Sequence, residues 1–139
     1  MSHLTRVFLS YAARDANQRS LLIAATKAAR LPVQFVEMPN HVTDARSRRV
    51  LCRGKVQHCD VAIVLASRHA VGSAAVDNDL ECVRELEVPL HAIVTETMRG
   101  AFAPPLEWRV ASVRSWSWSH IAALLQCPHS HVPPILAAG

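Results

Sequence analysis

The hydroxyl and carboxylate side chains of this sequence gather at the ends of apolar runs, where a strand would hand over to a loop. Ser10 and Tyr11 close the run Val7-Phe8-Leu9. Their hydroxyls could contact a phosphate or an adenine, or cap the next turn. Asp15 follows, either as a helix cap or as a ligand-contacting acid. Glu37 ends the run Phe35-Val36 and reads as a ribose contact or as a surface charge. Asp79 lies just after Asp77 and Asn78, which suit a helix start, so it reads either as a working acid or as a first-turn acid favoured by the helix dipole. Glu81 is a further carboxylate, but two residues on along a helix it points well away from Asp79. Phe8 is a core strand aromatic or a wall of the same site.

Other chemistries are weaker. Cys127, His129 and His131, with His120, could hold zinc, although structural zinc uses paired ligands separated by loops. The alternative is a histidine- and proline-rich tail. His58 and Cys59 are neighbours, and adjacency alone does not make a nucleophilic pair. The four glycines are isolated, so no glycine-rich phosphate loop is present.

These groups must be positioned by regular elements, and the hydropathy pattern supplies them in alternation. Residues 4–11 read as a buried strand. Leu21, Leu22, Ala25, Ala28 and Ala29 recur at helical spacing until Pro32. Val33 to Val36 form a second strand, followed by a loop at Pro39 and Asn40. Thr43 or Asp44 caps a second helix with a narrow stripe of Val50, Leu51 and Val56. Val61 to Leu65 is apolar on both faces, as a central strand of a parallel sheet should be. Residues 71–75 read as a loop, with a helix through Leu80, Val83 and Leu86 beyond it. Leu90 to Val94 is a fourth strand after Pro89. Trp108 to Val113 is a weaker fifth strand. Ser117 or Ser119 caps a last helix through Ile121, Leu124 and Leu125. Five strand–helix alternations predict one doubly wound α/β domain, with a five-stranded, mainly parallel sheet flanked by helices. Ligands of such sheets bind beyond the carboxyl ends of the strands. That selects the loops 10–15, 37–42, 66–76 and 95–105.

Length and composition agree. The chain has 139 residues, half of them hydrophobic and 19% charged, which suits one globular domain over residues 1–127 with an irregular tail at 128–139. Disorder and a membrane span are both disfavoured. The net charge is +4. The one basic cluster, Arg46, Arg48, Arg49, Arg53 and Lys55, lacks interleaved aromatics and reads as a solvated helix face rather than a nucleic-acid patch. Cys52, Cys59, Cys82 and Cys127 form no CxxC pair, and no signal peptide precedes them. They are expected as free, mostly buried thiols in a reducing cytoplasm.

The ordered motifs carry a resemblance. Val7-Phe8-Leu9-Ser10-Tyr11 followed by Asp15 resembles the first box of TIR domains. Phe35-Val36-Glu37 resembles the second strand entering the mobile loop of that family. Cys59-Asp60-Val61-Ala62-Ile63-Val64-Leu65 resembles its third strand. His69, Ser73, Val76, Asp79 and Leu80 are similar to the pattern that opens the following helix. Val113, Trp116, Trp118 and Ile121 are similar to the closing segment of the subgroup that includes the Thoeris anti-phage proteins. The likeness spans residues 4 to about 126.

The resemblance implies an enzyme that cleaves the nicotinamide–ribose bond of NAD, which would be its substrate and not a bound cofactor. Family members make an ADP-ribose-derived signal that activates a separate effector, and self-assembly is common among them. It places Asp79 at the catalytic position. It adds Phe8, Ser10, Tyr11, Asp15, Glu37, Ser73 and Ala75 as nucleotide-binding positions, and no metal. A carboxylate there would hold the ribose hydroxyls and stabilise the positive charge that develops as nicotinamide leaves. The chain departs from the family at four places. Asp79 stands for glutamate, Ala75 for an aromatic, Ala70 for threonine and Pro39 for a serine. Asp79 is one methylene short, and a misplacement of about 1 Å can cost about a hundredfold in rate. The alternative is a catalytically weak or inactive TIR-like module that binds a partner or a nucleotide. A receiver-type domain would need clustered acids where Ser10 and Tyr11 stand.

Overall fold

The computed structural model describes residues 4–39, 44–95 and 103–126. Five strands form one sheet: β1 (Thr5–Ser10), β2 (Val33–Val36), β3 (Val61–Ala66), β4 (Leu90–Val94) and β5 (Ser112–Ser115). Between them run α1 (Ala16–Ala28), α2 (Ala45–Val56) and α3 (Ala74–Glu85), and α4 (Trp118–Gln126) follows β5. All pairings are parallel and the strand order is β2-β1-β3-β4-β5. The chain winds outward in both directions from the β1–β3 boundary, which is the topological switch point where such sheets open a crevice.

Alternation along the strands divides the core in two. Phe8, Ala62, Val64 and Ala92 face α2 and α3, meeting Cys52, Val56, Val76, Leu80 and Val83. Val7, Leu9, Ile63, Leu65 and Ile93 face the opposite side, meeting Leu22, Ile121, Leu124 and Leu125. β3 is buried along its whole length, as its unbroken apolar run requires. Each fully buried aliphatic side chain contributes about 1.5–3 kcal/mol to this packing.

Several sequence expectations shift. Leu22 is buried as expected, but Leu21 is 60% exposed, and Thr26 is the other residue that α1 buries. Thr26 is accommodated because its hydroxyl donates to the Leu22 carbonyl at 2.8 Å. On α2, Val50 is 70% exposed, and Cys52 and Val56 carry the buried face. Asp44 caps α2 by accepting from the Ser47 amide, and Thr43 lies outside the described residues. α3 begins at Ala74, three residues before the expected start. The fifth strand is Ser112–Ser115, not Trp108 to Val113. Trp108 ends a short 3-10 turn, Leu106–Trp108, and its side chain enters the core. The tail from Cys127, with His129 and His131, lies outside the described residues, as does the 96–102 part of the fourth loop.

Candidate functional site at the carboxyl edge of the sheet

Ser10 is the last residue of β1, and its alternation with Phe8 turns its side chain toward α3. Its hydroxyl donates to Asp79 Oδ2 at 3.3 Å. Asp79 is the sixth residue of α3, so it is not a first-turn acid. Asp77 takes that place, and the dipole reading of Asp79 falls away. Asp79 is only 3% exposed. A side chain so placed must answer its own charge, and α2 supplies the answer. Arg48 donates Nε to Oδ1 at 3.1 Å and Nη2 to Oδ2 at 2.9 Å. This is the bidentate fork a guanidinium makes with a carboxylate. The Arg48 side chain is itself only 13% exposed.

Burial pushes the Asp79 carboxyl above its ordinary value, and Arg48, Ser10 and Cys52 pull it back only in part. The Cys52 thiol, held beside that carboxylate, is also pushed up, chiefly by burial. Cys82 faces Cys52 across the α2–α3 seam and moves the same way for the same main cause. Burial lifts the thiol of Cys59, half-buried and donating to the Lys55 carbonyl, to about 11. These three cysteines are free, and Cys127 lies outside the described residues.

The basic cluster is not a plain solvated face. Arg48 is inside, and Arg49 and Arg53 reach Glu81 and Glu85 on α3. Exposed pairs of this kind contribute little individually. They do account for Glu81, whose carboxylate pairs with Arg49 across the seam.

A second polar group occupies the switch point. Asp15 holds the position preceding α1, yet its side chain makes no cap bond. It is buried and accepts from the Ser67 hydroxyl at 2.5 Å. Ser67 Oγ in turn accepts from the Ala70 amide at 3.1 Å, which ties the loop after β3 to the start of α1. Ser67 was missed in the sequence. Its only signal is its place as the first polar residue after the strongest apolar run.

A third group lies on the other side of the sheet. Glu37, just past β2, accepts from Arg19 Nε and Nη2, both at 2.6 Å. The Tyr11 hydroxyl joins it, and Tyr11 packs against the α1–α4 half of the core. Burial raises the Tyr11 phenol first, and the Glu37 charge adds to it. The remaining residues have structural places. Ser73 caps α3, accepting from the Val76 amide at 3.3 Å. Ala75 is half-buried and offers only a methyl group. Phe8 is wholly buried in the core.

The sequence-selected residues therefore converge on one edge but not on one pocket. Ser10 and Asp79 meet directly. Asp15 stands at the β1–β3 boundary. Tyr11 and Glu37 stand with Arg19 at the β1–β2 side. Of the zinc candidates, His120 bonds the Ser115 hydroxyl. Among the described residues no three His, Cys, Asp or Glu side chains come together as metal ligands. No described helix is long and apolar enough to cross a membrane.

The sequence matches no protein-family model and no curated protein. Solved structures do resemble it. A prokaryotic SEFIR domain superposes with a TM-score of 0.60 at 13% identity, over 91% of this chain and 93% of that one. A de novo designed Rossmann 2x3 protein gives 0.54 at 11% identity, over 94% and 95%. A 3-dehydroquinate dehydratase-like protein from Bifidobacterium longum gives 0.50 at 10% identity, over 91% and 99%. At these identities the likeness is one of fold, and the fold is TIR-like: a five-stranded, all-parallel sheet flanked by helices.

Proposed function

We propose that this chain is a TIR-like protein of bacterial-type antiviral immunity that cleaves NAD, or a closely related nucleotide, at the nicotinamide–ribose bond. The observation that carries this reading is the contact between Ser10 and Asp79. It sets a carboxylate at the carboxyl end of β1, where a doubly wound sheet receives its ligand. In the reaction the C–N bond breaks and its electron pair leaves with nicotinamide. Asp79 stabilises the cation that develops on the ribose. Water, or a hydroxyl or ring nitrogen of the nucleotide, then adds to the same carbon with loss of a proton. The ADP-ribose-derived product is the signal that a separate effector reads, in the cytoplasm. No cofactor is required, and neither nucleic acid nor membrane enters the scheme.

Arg48 sets a condition on this chemistry. Both Asp79 oxygens are bonded to one guanidinium. The carboxylate meets substrate only after Arg48 withdraws with α2, or after self-assembly shifts that helix. The same ion pair favours a second reading, a non-catalytic TIR-like module in which Arg48–Asp79 simply locks α2 to α3.

The test is NAD consumption by concentrated protein, resolved by mass spectrometry, beside Asp79→Ala. Loss of NAD that vanishes in the variant supports the enzyme, and the product mass separates hydrolysis, cyclisation and conjugation. No loss in either protein, with phage-infected lysate added as a trigger, supports the module, especially if the protein self-associates or captures a partner.

A further inference from the structure

A cleft of about 560 Å³ runs along the edge of the sheet between α1 and β2, on the face opposite Asp79. Its size falls within the range of small-molecule sites, and such sites pair an apolar lining with a few fixed polar groups. Here the apolar lining includes Ile23, Leu31 and Phe35, with Thr26 and Gln34 beside them. Toward Glu37 stands the Arg19–Glu37 pair, joined by two hydrogen bonds. At the other end stand Lys27 and Arg30, both exposed, and neither has a carboxylate partner among the described residues.

From Val33 to Glu37 the strand path covers about 13 Å at 3.3 Å per residue. Lys27 and Arg30 set net positive charge at one end of this path, and the Arg19–Glu37 ion pair stands at the other. Lys27 and Arg30 also lie at the C-terminus of α1, where cations answer the helix dipole. That dipole amounts to about half a negative charge, and the last-turn amides of Ala29, Arg30 and Leu31 already bond the carbonyls there. Two full positive charges exceed it, so that end of the cleft stays net positive. The lining sets three cations, Arg19, Lys27 and Arg30, against the one anion Glu37, and a net positive cleft concentrates anions.

We propose that the α1–β2 cleft is a binding site for a chain-like amphipathic anion, an aliphatic carboxylate or phosphate. Its head pairs with Lys27 and Arg30, and its tail lies on Ile23, Leu31 and Phe35 toward Arg19–Glu37. The site is separate from Asp79 and does not depend on NAD cleavage.

The experiment is an amide NMR titration of the full chain with decanoate, decyl phosphate and decanol. Saturable shifts at Ile23, Leu31, Val33 and Phe35 are expected with both anions, with decanol at least tenfold weaker. The double variant Lys27→Gln/Arg30→Gln is expected to bind decanoate about tenfold more weakly and decanol as before. Both substituted residues are exposed, and the variant's unliganded spectrum reports whether its fold is intact. No saturable shift at those amides would overturn the proposal. So would equal affinity for acid and alcohol, or indifference to the double substitution.

Discussion

At the residue scale the decisive object is a carboxylate held almost entirely out of water. Taking Asp79 into the interior disfavours its charge, and Arg48 restores part of what is lost. The net direction is upward from the ordinary 3.8, which fixes the sign of a pH effect. The folded protein binds this proton more tightly than the unfolded chain does. Asp79 then contributes stability at low pH that is lost as pH rises from about 3.8 through its raised folded value, and is flat above that. Comparing denaturant midpoints of the natural protein with those of Asp79→Asn across that window should show the difference falling as pH rises. A difference that grows with pH would mean that Arg48 outweighs burial. Ser10, Tyr11 and Glu37 were legible at strand ends, Asp15 ahead of the first helix, and Asp79 on the helix after β3. The ion pair was not. Arg48 is one of several arginines in its helix, and only the crossing of α2 over α3 selects it over Arg49. The division of Tyr11 and Glu37 from Ser10 and Asp79 follows from a strand's two-residue alternation, which sends Ser10 and Tyr11 to opposite faces.

At the element scale the sequence was most informative where hydrophobicity is continuous. The bounds of β2 and β4 and the whole core of β3 follow from short apolar runs bracketed by Pro32, Asp60 and Pro89. Amphipathic helices were read less well. On α1 and α2 small and polar residues, Thr26 and Cys52, take buried positions that the larger Leu21 and Val50 were expected to fill. The fifth strand was misplaced because Trp108 and Val110 look like strand residues, while Ser112 and Arg114 do not. The observed strand buries these two against β4, with Ser112 sharing a 2.6 Å contact with His91.

Two helices end alike. After α1 and α3 come Arg30 and Glu87 in the left-handed region, at φ 55° and 57°, each followed by an apolar residue, a proline and a strand. Around Glu87 the amides of Glu87 and Val88 bond the carbonyls of Arg84 and Val83 at 3.1 and 3.2 Å, the arrangement glycine usually completes. A left-handed non-glycine residue costs roughly 1–2 kcal/mol, and glycine's extra freedom in the unfolded chain returns part of that. Glu87→Gly is therefore expected to raise stability by roughly 0.5–1 kcal/mol in chemical denaturation. A loss of that size would mean that the Glu87 side chain does more than cap. In contrast, Ile63→Ala removes a fully buried side chain from β3 and is expected to cost about 2–5 kcal/mol. A cost below 1 kcal/mol would contradict the packing of the α1–α4 half of the core.

At the scale of the whole molecule, the alternation of strands and helices carried the fold class and the parallel sheet, and the strand order adds where its crevice must lie. The likeness to a SEFIR domain places the chain among TIR-like folds at 13% identity, too distant to carry an activity across. The proposed activity therefore rests on one carboxylate and its neighbours. Its central claim is that Asp79 acts on the ribose of NAD. The most direct measurement is nicotinamide release from NAD by the full chain at high concentration, with and without infected lysate, beside Asp79→Ala. The account predicts nicotinamide formed in equal amount to the NAD lost, in the natural protein and not in the variant. Equal release by both proteins, or none from either under every condition, would contradict it.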